Sequence, residues 1–139
     1  MEKKLRKLNE KFATDMVYLK QSKIRNAGIG VFAKQPIRRY ARLGEYIGKV
    51  VNINDQIPES KRNYLFEIQV RGGPNFYKDA RKLDDANWTR YINGVRLESQ
   101  RKKENVGFYQ YKKRIWVKAL KNIPRDEELI ADYGEWYGW

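Results

Sequence analysis

The 139-residue chain has no cysteine and no histidine. Without cysteine there is no disulfide framework, no thiolate nucleophile and no thiolate metal site. Without histidine the remaining common zinc donors go too, together with the Ser-His-Asp and Cys-His catalytic arrangements. No metal site is expected, and proton transfer falls to tyrosine, lysine, a carboxylate or water. No run of eighteen apolar residues occurs, and Met1-Glu2-Lys3-Lys4 lacks the apolar stretch of a signal peptide. Neither a membrane span nor secretion is therefore expected. The missing cysteines agree with an intracellular setting.

What is present suffices for one core. Hydrophobic residues make up 41% and aromatic residues 14% of the chain, and the length fits one compact domain. The net charge of +13 is unevenly placed. Residues 1–125 hold all 30 cations against 12 carboxylates, whereas residues 126–139 hold Asp126, Glu127, Glu128, Asp132 and Glu135 and no cation. A basic body suits polyanions, nucleic acid foremost, and an acidic end suits something cationic. A solvated surface without a partner is the plain alternative.

Leu5, Leu8, Phe12 and Met16 recur at spacings of three and four among lysines and arginines, which predicts a basic amphipathic helix over residues 1–16. It docks on the domain or on a second copy, so a homodimer stays open. From Val17 the pattern changes to short β-branched and aromatic runs: Val17–Ile24, Gly30–Ala33, Glu45–Ile53, Tyr64–Val70, Asn75–Lys78, Val106–Ala119 and Glu128–Tyr133,. Turns are expected at Asn26-Ala27-Gly28, Asn54–Pro58, Arg71–Pro74 and Lys112-Lys113, and an exposed loop at Leu97–Glu104. Asp84 or Asp85 is expected to cap a short helix through Asn87–Ile92.

Five ordered segments stand out: Ser22–Ala33 with Gly28-Ile29-Gly30, Gly44–Lys49 with Tyr46, Arg90-Tyr91-Ile92-Asn93, Asn105-Val106, and Ile123–Tyr137 with Tyr133. Singly, each reads equally well as a turn, a strand, a helix or a packed aromatic cap. In order, across residues 17–139, they resemble the SET-domain protein lysine methyltransferases, closest to the PR-type subgroup and to minimal viral and microbial SET proteins. The resemblance implies a mostly-β fold of the β-clip type, with several short sheets, short helices and a C-terminal pseudoknot. It implies S-adenosylmethionine as cofactor, held by Gly28, Ile29, Gly30, Tyr46, Arg90, Tyr91, Asn93 and Trp136. Tyr133 and Tyr46 become the catalytic candidates, and Ala131, Tyr133, Trp136, Tyr137 and Trp139 line a substrate lysine channel. A dry aromatic channel suits the chemistry, because the attacking amine must be neutral, and electron-rich rings hold a cationic side chain.

The partner so implied is a protein lysine, a histone tail foremost, with DNA or nucleosome contact through the basic body. The setting is nuclear or chromatin-associated, in a host nucleus if viral and in the cytoplasm or nucleoid if prokaryotic. Two departures stand out. Gly94-Val95-Arg96 replaces the family's His-Ser-Cys, which keeps open a catalytically inactive module of the same fold that binds protein or nucleic acid. Ala131 replaces a larger Phe or Tyr, which implies room for more than one methyl group. A plain basic nucleic-acid-binding β-domain is the third alternative.

Overall fold

The computed structural model describes residues 2–52, 64–94 and 103–132. Helix α1 spans Glu2–Phe12, with Glu2 in its first turn and Lys11 in its last, each charge complementing the helix dipole. It ends four residues before the expected boundary, and Met16 packs against the core from beyond it. Leu8 and Phe12 are buried against the chain's own body, and the Phe12 ring meets Tyr91 edge-on at 5.9 Å. Asn9 brackets one strand residue: its Nδ2 donates to the Leu19 carbonyl at 2.9 Å, and its Oδ1 accepts from the Leu19 N–H at 2.7 Å. The helix thus satisfies a strand edge that would otherwise need another strand. Among the described residues no helix is long and apolar enough to cross a membrane.

Among the described residues ten strands follow: β1 Val17–Gln21, β2 Ile29–Ala33, β3 Arg42–Glu45, β4 Lys49–Asn52, β5 Leu65–Ile68, β6 Phe76–Asp79, β7 Asn93–Gly94, β8 Val106–Tyr111, β9 Arg114–Ala119 and β10 Ile130–Ala131. They form a β1-β2 pair, a β4-β6-β5 sheet and a five-stranded sheet ordered β3-β9-β8-β10-β7. In the last, β10 runs parallel to both neighbours and sits between β7 and β8. A late segment is thereby threaded between two earlier ones. Buried Asn105 holds it there: its Oδ1 accepts from the Ile130 N–H at 2.8 Å, and its Nδ2 donates to the Glu128 carbonyl at 2.8 Å. Tyr46, Phe66 and Phe108 form an aromatic knot in the core, with ring separations of 4.5, 4.8 and 5.8 Å.

The expected run Glu45–Ile53 divides. The Tyr46 N–H still bonds the Ile115 carbonyl at 2.7 Å, after which the chain changes sheet and pairs again from Lys49 opposite Asp79. Strand β3 begins at Arg42, earlier than composition suggests, because β9 supplies its partner. The Val106–Ala119 run is a hairpin turning at Lys112-Lys113, both at positive φ, as expected. The capping expectation is corrected. Asp84 and Asp85 lie in their own 3-10 turn, Leu83–Asp85, and Asn87 caps Trp88–Tyr91, its side chain accepting from the Thr89 N–H. Asn54–Pro58 and residues 97–102 lie outside the described residues.

Candidate active site

The segment entering β2 is a tight turn. Ser22 N–H bonds the Gly28 carbonyl at 2.7 Å and Ala27 N–H the Ile24 carbonyl at 3.1 Å. Gly28 closes the turn at φ +74°, and space around its Cα is open, so bare backbone faces outward there. Gly30 answers a different need: a Cβ at that position would run into the Glu128 carboxylate and the Asn93 amide. Glu128, almost fully buried, accepts from Ser22 Oγ at 2.7 Å, from the Lys23 N–H at 2.9 Å and from Asn93 Nδ2 at 3.2 Å. Asn93 also donates to the Ile29 carbonyl at 3.2 Å. A buried carboxylate is retained where several donors satisfy it. Here it fastens the 22–30 loop to Asn93. Glu128 was not among the expected site residues, because in sequence it is only the last of the charged run Arg125-Asp126-Glu127-Glu128.

A cleft of about 260 Å³ lies beside this turn, lined by Lys4, Ala27, Gly28, Ile29, Tyr64, Arg90, Tyr91 and Asn93. Five of the expected cofactor residues thus share one wall: Gly28, Ile29, Arg90, Tyr91 and Asn93. Lys4 and Tyr64 join them unforeseen. Arg90 is fixed by donating Nε to the Ala80 carbonyl at 2.8 Å and Nη2 to the Arg81 carbonyl at 3.3 Å. Its guanidinium lies 4.3 Å from the Tyr64 ring centre and 4.8 Å from that of Tyr91, so the two rings are set around a cation. Among the described residues no carboxylate lines the cleft.

Tyr46 sits behind this wall, 1% exposed. Its hydroxyl donates to the Tyr64 carbonyl at 2.9 Å, and burial pushes its phenol far above the ordinary value, so it stays protonated,. Ala131 is fully buried in β10, paired with Gly94 and Val106. Gly94, first of the three departing residues, forms β7 with Asn93. Tyr133, Trp136, Tyr137 and Trp139, together with Val95 and Arg96, lie outside the described residues.

The cleft suits a donor such as S-adenosylmethionine. Lys4 can meet a carboxylate, the Asn93 side-chain oxygen can accept from an ammonium because its Nδ2 is already engaged, bare backbone at Gly28 can approach an amino-acid end, and the Tyr64 ring offers a flat face to a purine. Its volume is just below the ~300–1,000 Å³ usual for small-molecule sites.

A paired β1-β2 turn, a threaded sheet and a cleft between them define a SET-type fold. The structure superposes on the methyltransferase domain of human PR domain-containing protein 2 with a TM-score of 0.70 and 25% identity, covering 100% of this chain and 85% of that one. The chain belongs to the PR-domain family: the PR domain of PR domain zinc finger protein 2 matches residues 17–138. A histone-lysine N-methyltransferase of Caenorhabditis elegans, set-17, is 32% identical over 120 residues, 86% of this chain and 41% of that protein. The chain therefore spans about two fifths of that relative's length. Chaetomium thermophilum polycomb repressive complex 2 bound to S-adenosylmethionine is similar at 26% identity and a TM-score of 0.66, over 86% of this chain and 15% of the other.

Proposed function

We propose that the chain is an S-adenosylmethionine-dependent protein-lysine N-methyltransferase acting on a histone or another basic, DNA-associated protein. The observation that carries the reading is the convergence of Gly28, Ile29, Arg90, Tyr91 and Asn93 on one cleft, in a chain whose relatives include a histone-lysine methyltransferase and a structure bound to that donor. When bound, the donor supplies a methyl group on a sulfonium, open to in-line displacement. In this reading Lys4 and Asn93 hold its amino-acid end, the Tyr64 ring meets its base, and Trp136 completes the pocket. Tyr133 orients the neutral substrate amine, and Tyr46, expected as a second catalytic position, instead positions Tyr64 from behind the cleft wall. The work is chiefly positioning, since the reacting atoms must align. Trp136, Tyr137 and Trp139 enclose the lysine stem, and Ala131 leaves room for further methyl groups. The basic segment over 1–16, with helix α1, is an accessory to the catalytic unit over 17–139, and the protein works on chromatin.

The test is incubation of the chain with labelled donor and core histones, with calorimetry of donor binding alongside. Wild type is expected to label a histone lysine beyond the monomethyl state. Tyr133→Phe should lose roughly 10²-fold or more in rate while binding donor unchanged. A second reading, a non-catalytic module of the same fold, draws on Gly94-Val95-Arg96 replacing the family's His-Ser-Cys. Donor binding without turnover on histones would select it.

A further inference from the structure

The outer face of the β3-β9-β8 sheet holds a strip of cations and rings that lies apart from the cleft. Along β9, Ile115, Val117 and Ala119 are buried, while Arg114, Trp116 and Lys118 alternate with them. Register places Trp116 opposite Tyr109, Arg114 opposite Tyr111, and Lys118 opposite Arg42 of β3. Rings and cations interleave across this face. The Arg42 guanidinium lies 4.3 Å from the Trp116 ring centre and 6.0 Å from that of Tyr111, and its Nε donates to the Tyr109 hydroxyl at 2.8 Å. Lys112 lies 5.4 Å from the Tyr111 ring. Arg39 lies 4.6 Å from the Tyr40 ring, and Lys118 lies 5.4 Å from both Tyr40 and Tyr109. The strip is continuous because each cation touches the next ring.

Two details argue against a merely decorated surface. Tyr40 is 61% exposed and Tyr111 49%, so these rings contribute little to the core. Tyr40 also holds φ at +72°, a conformation that bulky residues adopt only when the surroundings impose it, and one that gathers at functional positions. The face carries cations almost alone: Glu45 is the carboxylate in register with Trp116, and Arg114 lies 3.9 Å from it.

We propose that this face binds a single-stranded polynucleotide, with bases stacking on the exposed Tyr40 and Tyr111 and phosphates pairing with Arg39, Arg42 and Lys112. Exposed flat rings beside cations are what unpaired bases and a phosphate backbone require together. A duplex offers its phosphates but hides its base faces, and would leave the rings unused. An acidic peptide would use the cations alone, and a lipid surface would call for aliphatic residues that the face lacks. None of these residues lines the donor cleft, so the site stands independently of methyl transfer.

The experiment is fluorescence anisotropy of the full chain with a labelled oligothymidylate of roughly twenty nucleotides, its oligouridylate counterpart and a duplex of the same length. Both single strands are expected to bind about tenfold or more tightly than the duplex. Their log affinity should fall with log salt at a slope of about −2, as some three neutralised phosphates give on a single strand. Tyr40→Ala with Tyr111→Ala, which leaves net charge untouched, should weaken binding about tenfold or more. Tyr111→Ala alone, at the exposed hairpin end, gives the same sign in a variant certain of a folded readout by circular dichroism. Tyr111→Phe should bind as wild type. Equal or tighter duplex binding overturns the proposal, as does a folded Tyr111→Ala chain that binds like wild type.

Discussion

At the scale of single residues, buried polar side chains hold the site together. Asn105 is 2% exposed and bonds both the Ile130 N–H and the Glu128 carbonyl. Asn105→Ala leaves two buried backbone groups without partners, each costing about 1–3 kcal/mol. A loss of roughly 3 kcal/mol is expected, read as a lower urea midpoint with the slope unchanged. Tyr46 sets a pH dependence. Its phenol is raised above the ordinary value of 10.0 because burial disfavours the charged form, so folding favours the protonated ring. That contribution is complete below pH 10 and drains away as pH climbs toward the folded-state value. Tyr46→Phe should therefore be about 1 kcal/mol less stable at pH 7, having lost its bond to the Tyr64 carbonyl. It should be more resistant than wild type above pH 10, which chemical denaturation across that range measures. The glycine pattern and Asn93 were marked out only through the family resemblance, because singly each segment reads as an ordinary turn or helix. Glu128 was not, since its three donors come from residues about 35 to 106 positions away.

At the scale of elements, hydrophobic spacing identified helix α1, and β-branched and aromatic runs identified most strands. Boundaries shifted wherever a distant partner decides them. The β3 strand exists because β9 lies beside it, and β7 is a two-residue strand made by β10 alone. Spacing also could not say where the helix docks. Asn9, clasping Leu19, and Phe12, against Tyr91, tie it to β1 and the cleft, and so bring Lys4 into the lining. Asn9→Ala should cost about 1–2 kcal/mol and weaken donor binding. Lys4→Ala should weaken donor binding several-fold without changing stability, and calorimetry paired with thermal melting separates the two effects. A neighbouring contact tunes the same helix. Lys11 lies 2.9 Å from Asp84 and holds that carboxyl below its ordinary range. The link is complete above about pH 4 and released as pH falls, which should appear as faster amide exchange in α1 under acid, abolished in Asp84→Asn.

Across the whole molecule, charge was readable from composition, but its arrangement only partly so. Residues 1–125 are strongly cationic, and the five carboxylates at the end belong partly to the interior: Glu128 and Asp132 are buried, while Asp126 is exposed and accepts from the Tyr18 hydroxyl at 2.8 Å. A free basic peptide therefore approaches a body of like overall sign. The same substrate carried on DNA arrives with phosphates that the cationic body attracts. The attraction acts over a Debye length of about 8–10 Å at ordinary ionic strength and about 3 Å at 1 M. Rates on nucleosomes should then exceed rates on the matching free tail peptide at low salt, with the ratio falling steadily as salt rises. Turnover on the peptide should change less, or even improve, because screening relieves its repulsion. A nucleosome-to-peptide ratio that stays flat from about 50 to about 300 mM salt would remove the body's charge from the account of substrate choice and leave selection to the channel alone.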